Sequence, residues 1–332
     1  MSEVTDFFTI KTPSEPLPVM KSFNYLSNNT AMPVLGVTSW MCDENVPKKI
    51  EGAIQNGFRQ IEVSNIYKNE KQIGVGIGEA IRKRLVKRTD LFVVLKIWLE
   101  DDGLKDIRKA VINSIDALKL KNVDMVLAHI PATFNKVSQY QIAKIWVQMD
   151  KIYQSGLTKS VGVVNWTEDQ IEHAMRLKLT PVHLSQKELG LCSTDAVPWT
   201  MFSKHRIIFS QYATLGSPGD LNYTIARERE TDWILNHDDR ADEAIQGVAK
   251  AMELTAEKTM LYFAVHRGFM ATTNRQAQLF EPKFPIELHF TGTALFWLQR
   301  SGALQHLYVK NPHNERFRSS ELVEDLSDEL FD

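Results

Sequence analysis

Two hydrophobic rhythms alternate along most of the chain. "KKIEGAIQNGF" spaces its apolar residues for one helix face and ends on Gly57, a C-terminal capping residue. "RQIEV" follows as a short strand, and "KQIGVGIGEAIRKRLVKR" reads as helical toward its C-terminal end. "LFVVLKIW" and "VDMVLAHI" are nearly unbroken apolar runs of strand length. Between them, "LKDIRKAVINSIDALKL" shows helical periodicity. "IAKIWVQMDKIYQSG" is a helix stopped by glycine, and "TEDQIEHAMRLK" opens with a Thr-x-x-Gln helix start. "KSVGVVNW", "PVHLSQ", "RIIFSQY" and "FMATT" are further strands, with "AEKTMLYFAVHRG" as a late helix. Upstream, "SFNYLSNNTAMPVLG" reads as two short strands around a turn at "NNT".

Strands apolar on both faces are those of a parallel sheet covered by helices. About seven strand–helix units precede residue 215, and "FMATT" supplies an eighth strand. The fold class is therefore α/β, a (β/α)8 TIM barrel. A doubly wound sheet is the rival, but no glycine-rich phosphate turn follows the first strand. "GVGIGE", from Gly74 to Glu79, lacks the third glycine of a dinucleotide fingerprint and does not open the first βαβ unit.

Length and charge narrow the partners. The chain has 332 residues and a net charge of −2, which argues against nucleic acid or a membrane surface as partner. Its two cysteines, Cys42 and Cys192, form no disulfide framework or zinc motif, so no metal is expected and the cytoplasm is the expected location. No apolar run reaches membrane-spanning length. The prolines at 13, 16 and 18 suggest an extended N-terminal arm, and "ELVEDLSDELFD" is an acidic end.

Barrel chemistry sits at the C-terminal ends of the strands. There the sequence puts Glu62, at the end of "RQIE", Tyr67 in the following loop, Lys96 in "VVLKIW" and His129 at the end of "MVLAH". A lysine inside an apolar strand needs a partner, and Glu62 is the available one. This pair reads equally as a buried structural ion pair. Read as a site, Lys96 lowers the pKa of Tyr67, making it a general acid that protonates a carbonyl oxygen oriented by His129. Such protonation helps most when a hydride reaches the carbonyl carbon, which implies a nicotinamide cofactor.

In this order, "MPVLGVTSW", "GFRQIEVSNIYKNEKQIG", "VVLKIW", "LAHIP", "GLTKSVGVVNW" and "SQYATLGSPG" resemble the aldo-keto reductase family, and the run "NEKQIGVGIGEAIRKRLVKRTDLFVVLKIW", with "HIPATF" later, resembles its yeast xylose reductases in particular. The resemblance runs from about Asn29 to about Leu288. It implies a barrel over 21–288 whose bottom is capped by the N-terminal β-hairpin. An extension over 1–20 and a tail over the barrel mouth at 289–332 flank it. It assigns Tyr67 as proton donor, Lys96 and Glu62 as its tuners and His129 as orienter. Asn165 and Gln186 would bind the nicotinamide carboxamide, with Ser39 on the cofactor side. Tyr212 would stack on the ring, and Leu215 and Ser217 would touch the pyrophosphate. Trp40, Trp98, Ile130 and Phe134 would wall the substrate pocket.

The chain departs from the family's pattern at four places. Glu62 replaces an aspartate, Val164 a serine and Ile130 a tryptophan. After the eighth strand, "TTNRQAQLFEP" puts Thr272 and Thr273 where a Lys-Ser pair binds the 2′-phosphate, Gln278 at the arginine and Glu281 at an adenine-side acid. Arg275 is then the cation available to replace the clamp. An alternative alignment on "VKNPHNER" puts Lys310 and Arg316 at the clamp spacing, at the expense of a large insertion. The cofactor is accordingly NADP(H) or NAD(H). The expected function is reduction of an aldehyde or small sugar carbonyl by a monomer or homodimer. The alternative is a catalytically impaired member of the family that binds a partner or a nucleotide.

Overall fold

The computed structural model describes residues 23–39, 45–99, 106–130, 137–188, 199–212, 214–215, 243–251, 253–266 and 270–273. Trp40, Phe134, Ser217, Arg275 and Glu281 lie outside these residues, as do the expected extension at 1–20 and tail at 289–332.

The chain begins with a hairpin, β1 (Phe23–Tyr25) and β2 (Ala31–Pro33). The barrel strands are β3 (Leu35–Thr38), β4 (Gln60–Ser64), β5 (Phe92–Trp98), β6 (Val123–His129), β7 (Thr158–Val164), β8 (Leu184–Glu188), β9 (Ile208–Tyr212) and β10 (Met270–Thr273). Around them lie α1 (Val46–Gln55), α2 (Glu70–Arg82), α3 (Ile107–Ala117) and α4 (Gln139–Gln154). They are followed by α5 (Glu168–Arg176), α6 (Trp199–His205), α7 (Glu243–Ala251) and α8 (Ala256–His266). The strands pair in parallel in the order β10-β3-β4-β5-β6-β7-β8-β9 and close on themselves, which removes the doubly wound alternative.

Alternation along each strand divides the side chains between two cores. On β5, Val93, Leu95 and Ile97 pack outward against the helices, whereas Phe92 and Val94 pack inside the barrel. Leu26 and Met32 of the hairpin join that inner cluster with Met125, Leu184 and Met270, at the strands' N-terminal halves. The side-chain amide of Asn28 donates to the Lys159 carbonyl at 2.9 Å and to Ser160 Oγ at 3.1 Å. The hairpin therefore plugs the bottom of the barrel. Burying Leu26 and Met32 there contributes about 1.5–3 kcal/mol each.

Helix ends follow local chemistry. Thr167 and Gln170 form the capping box read from the sequence, and Ser138 with Gln141 forms another on α4. Gly57 takes φ 105° just after α1, a conformation that favours glycine.

Two local expectations are corrected. β4 continues past Glu62 to Ser64, so Glu62 lies within the strand and faces the barrel interior. α2 begins at Glu70 and includes all of "GVGIGE", of which Gly74 and Gly76 are packing positions. A Cβ on Gly74 would meet the Leu118 carbonyl oxygen at 2.5 Å, and one on Gly76 the Pro47 carbonyl oxygen at 2.7 Å. Nothing lies within 4 Å of a Cβ on Gly78. Gly74→Ala is expected to destabilise the fold by about 1–3 kcal/mol. Gly78→Ala is expected to stabilise it by about 0.4–1 kcal/mol. Urea midpoints of the two variants, moving in opposite directions, are the check. Among the described residues no helix is long and apolar enough to cross a membrane.

Candidate active site

The inward positions of β4, β5, β6 and β8 bring the polar residues together at the C-terminal half of the barrel. Lys96 Nζ lies 2.7 Å from Glu62 Oε1, with both side chains almost wholly excluded from solvent. The other carboxylate oxygen, Glu62 Oε2, accepts a hydrogen bond from Gln186 Nε2 at 2.6 Å. After β4 the chain makes a 3₁₀ turn over Asn65–Tyr67 that ends at Lys68 in the left-handed region, φ 56°. Asn65 Oδ1 accepts from the Trp98 backbone N–H at 2.8 Å and ties this turn to the end of β5. The turn directs the Tyr67 hydroxyl to Lys96 and Thr38, with which it hydrogen-bonds. Tyr67 as a whole residue is half-buried.

Burial has the largest influence on the Tyr67 hydroxyl and raises its pKa. Lys96 lowers it, and Glu62 pushes it back up. The net direction is above the ordinary value of 10.0: Lys96 lowers the pKa as expected, but burial, helped by the Glu62 charge, outweighs it. Burial disfavours the Lys96 ammonium, but Glu62 and Tyr67 outweigh it and raise its pKa. His129 is driven well below 6.5 by burial and by the nearby Lys96 charge, so the imidazole is neutral. Tyr67 thus holds its proton at neutral pH, and His129 is a hydrogen-bonding group.

His183, on the outer side at the start of β8, is also lowered by burial. In the unfolded chain both imidazoles take up a proton near pH 6.5. The stability they confer is complete above that pH and is lost as pH falls below it, by up to about 1.4 kcal/mol per pH unit per group. Thermal melts should shift downward between pH 7.5 and pH 5.5, and an unchanged midpoint contradicts the buried neutral state.

The remaining residues divide between the mouth and the core. Asn165 takes φ 62°, which asparagine tolerates, and its Nδ2 lies 3.4 Å from His129 Nε2. Its Oδ1 accepts from the Tyr212 hydroxyl at 3.2 Å. The Tyr212 ring centroid is 5.0 Å from Lys96 Nζ, and Trp98 meets His129 edge-on at 4.6 Å. Ser39 donates to Asn69 Oδ1 at 3.2 Å and accepts from Asn69 Nδ2 at its carbonyl oxygen. These residues gather at one end. Ile130 does not: His129 points inward, so the next side chain turns outward into the helix-side core. Leu215 packs in that same core. Thr272 and Thr273 lie within β10, each 2% exposed.

Sequence reasoning missed Thr38, Asn65, Asn69 and Ser210. Ser210 could have been found from its place two residues before Tyr212 on the inner face of β9. A cavity of about 510 Å³, lined by Asn28, Asp150, Tyr153 and His183 among others, lies at the opposite end and takes in no predicted site residue.

The arrangement fits a flat aromatic amide. Gln186 Oε1, Trp98 Nε1 and His129 Nδ1 are buried with no hydrogen-bond partner among the described residues. The His129 ring stands 6.3 Å from the Tyr212 ring, its Nε2 lies 3.4 Å from the Asn165 amide, and Trp98 packs against it.

A model of the aldo/keto reductase family matches residues 36–274. The chain belongs to the aldo/keto reductase family. Membership places it among NAD(P)H-dependent oxidoreductases, as the resemblance implied. Aldo-keto reductase family 1 member C18 of Rattus norvegicus is 27% identical over 266 residues, 74% of this chain and 80% of that protein. The NAD(P)H-dependent D-xylose reductase of Pachysolen tannophilus is 29% identical over 171 residues, 46% of this chain and 54% of that protein. Among solved structures, an aldo-keto reductase (AKR2E5) complexed with NADPH is similar with a TM-score of 0.70 and 20% identity, covering 85% of this chain and 88% of that one.

Proposed function

We propose that the protein reduces an aldehyde or small sugar carbonyl with NAD(P)H. The observation that carries this reading is the Tyr67–Lys96–Glu62 chain beside a neutral His129 at the barrel mouth. Asn165, Gln186 and Tyr212 hold the nicotinamide, which when bound supplies a hydride to the carbonyl carbon. His129 orients the carbonyl oxygen by a hydrogen bond. Tyr67 gives its proton to that oxygen, and the Lys96 ammonium stabilises the phenolate that remains. Glu62 keeps Lys96 charged in the dry interior.

NADPH and NADH share the nicotinamide end that these residues recognise, and the NADPH complex of the AKR2E5 structure supports NADPH as the first nucleotide to test. Titrating the protein with each nucleotide and following tryptophan fluorescence tests the reading, because Trp98 lies against His129. Micromolar binding followed by turnover of an aromatic aldehyde or D-xylose supports it. No binding of either nucleotide up to about millimolar overturns it. A binding protein derived from this family is the second reading, favoured by the hydrogen bonds that Tyr212, Asn165 and His129 make with one another. Tight nucleotide binding without turnover of any carbonyl would select it.

A further inference from the structure

Glu62 reaches across the whole barrel. In the closed order of strands, β4 and β8 are separated by four steps in either direction, so they stand opposite each other. Even so, Glu62 Oε2 and Gln186 Nε2 meet at 2.6 Å, and Glu62 Oε1 is 2.7 Å from Lys96 Nζ. An aspartate is shorter by one C–C bond, about 1.5 Å, and could not keep both contacts from the same backbone position.

This contact fixes the polarity of the Gln186 amide. A carboxylate only accepts, so the NH2 group of Gln186 must face Glu62. The same nitrogen lies 3.4 Å from Ser210 Oγ, whose own proton goes to the Met270 carbonyl oxygen at 3.3 Å. The NH2 group is therefore committed twice. Gln186 Oε1 is left buried, without a partner among the described residues. A buried acceptor in this state calls for a donor from a ligand.

We infer that Glu62 is a strut. One carboxylate oxygen tunes the proton-donor side through Lys96, and the other locks Gln186 so that an acceptor oxygen, and not an NH2 group, faces the nicotinamide carboxamide. Glu62 is thus a positioning residue for cofactor recognition as well as for the proton donor. The glutamate in place of the family's aspartate makes this second contact possible. The inference rests on the reductase reading above.

The test compares dissociation constants of the reduced nicotinamide dinucleotide and its 3-acetylpyridine counterpart, which keeps the carbonyl oxygen but carries methyl in place of NH2. The wild-type protein should prefer the carboxamide form by roughly tenfold to a hundredfold, because the analogue leaves Gln186 Oε1 unpaired. In Glu62→Asp the amide is released and can rotate, so the preference should fall toward unity. Glu62→Gln keeps the reach and can still accept from Gln186 through its own oxygen. It should retain the preference even where turnover drops through loss of the charge on Lys96's partner. A purely electrostatic role for Glu62 predicts the reverse order of the two variants. A Glu62→Asp protein that discriminates as the wild type does overturns the strut and leaves the reductase reading intact. Failure of the wild type to bind either dinucleotide overturns both.

Discussion

Tyr67→Phe is expected to lower kcat for carbonyl reduction by about 10²–10⁴-fold while nucleotide affinity stays within about twofold of the wild type. The phenol bears its proton beside Lys96, with burial and Glu62 holding its pKa above the usual value. The substitution removes one hydroxyl and its bonds to Lys96 and Thr38, a stability change of about 1 kcal/mol that is too small to unfold the barrel. Tyr212 is the rival donor, because its ring lies closer to Lys96 Nζ, 5.0 Å against 5.8 Å for Tyr67. Its proton, however, is already given to Asn165 Oδ1. Tyr212→Phe should therefore change kcat by less than about tenfold, with most of its effect on nucleotide binding. Single-turnover rates of both variants decide the matter. If Tyr67→Phe keeps a rate within tenfold of wild type, Tyr67 is not the donor.

The barrel was legible because its signal is periodic and repeated. Buried parallel strands such as "VVLKIW" stand out against helical stretches, and the lysine inside that run marked the interior without any structural knowledge. The family motifs then supplied the order of the strands. Tyr67, Lys96, His129 and Asn165 were readable in this way, since each sits at or near the end of a strand. What escaped depends on contacts far apart in sequence. The bond between Glu62 and Gln186 joins residues separated by 124 positions, and no local pattern announces it. The direction of the Tyr67 pKa was misread for a related reason: the sequence shows a lysine near a phenol, but burial and the counter-charge are properties of the assembled barrel. Ile130 went astray through strand alternation, because a neighbour of a site residue faces the other way. The helix over "GVGIGE" was read only toward its C-terminal end, because the Leu118 and Pro47 carbonyls against which Gly74 and Gly76 pack lie far away in sequence.

The largest stability effect should come from Lys96→Met. It leaves the Glu62 carboxylate 1% exposed with its cation gone, and removing one partner of a buried pair costs about 3–5 kcal/mol. Gln186 still donates to Glu62 Oε2, so the carboxylate is not wholly orphaned, which puts the expectation at the lower end of that range. Replacing both partners, Lys96→Met with Glu62→Met, removes two desolvation penalties together with the attraction. The double variant should then recover about 1–3 kcal/mol relative to Lys96→Met alone. It cannot reach wild-type stability in full, because Gln186 Nε2 loses its carboxylate acceptor and retains the longer contact to Ser210. Denaturant midpoints for the two single variants and the double give the coupling directly. Strong non-additivity means that the ion pair is an interdependent unit inside the barrel. Additive changes mean that water or another group reaches Glu62 once Lys96 is removed, and the site is then less dry than its burial implies. The same variant should lose activity by more than its stability change accounts for, since Tyr67 would be left beside the Glu62 charge without the cation that stabilises its phenolate.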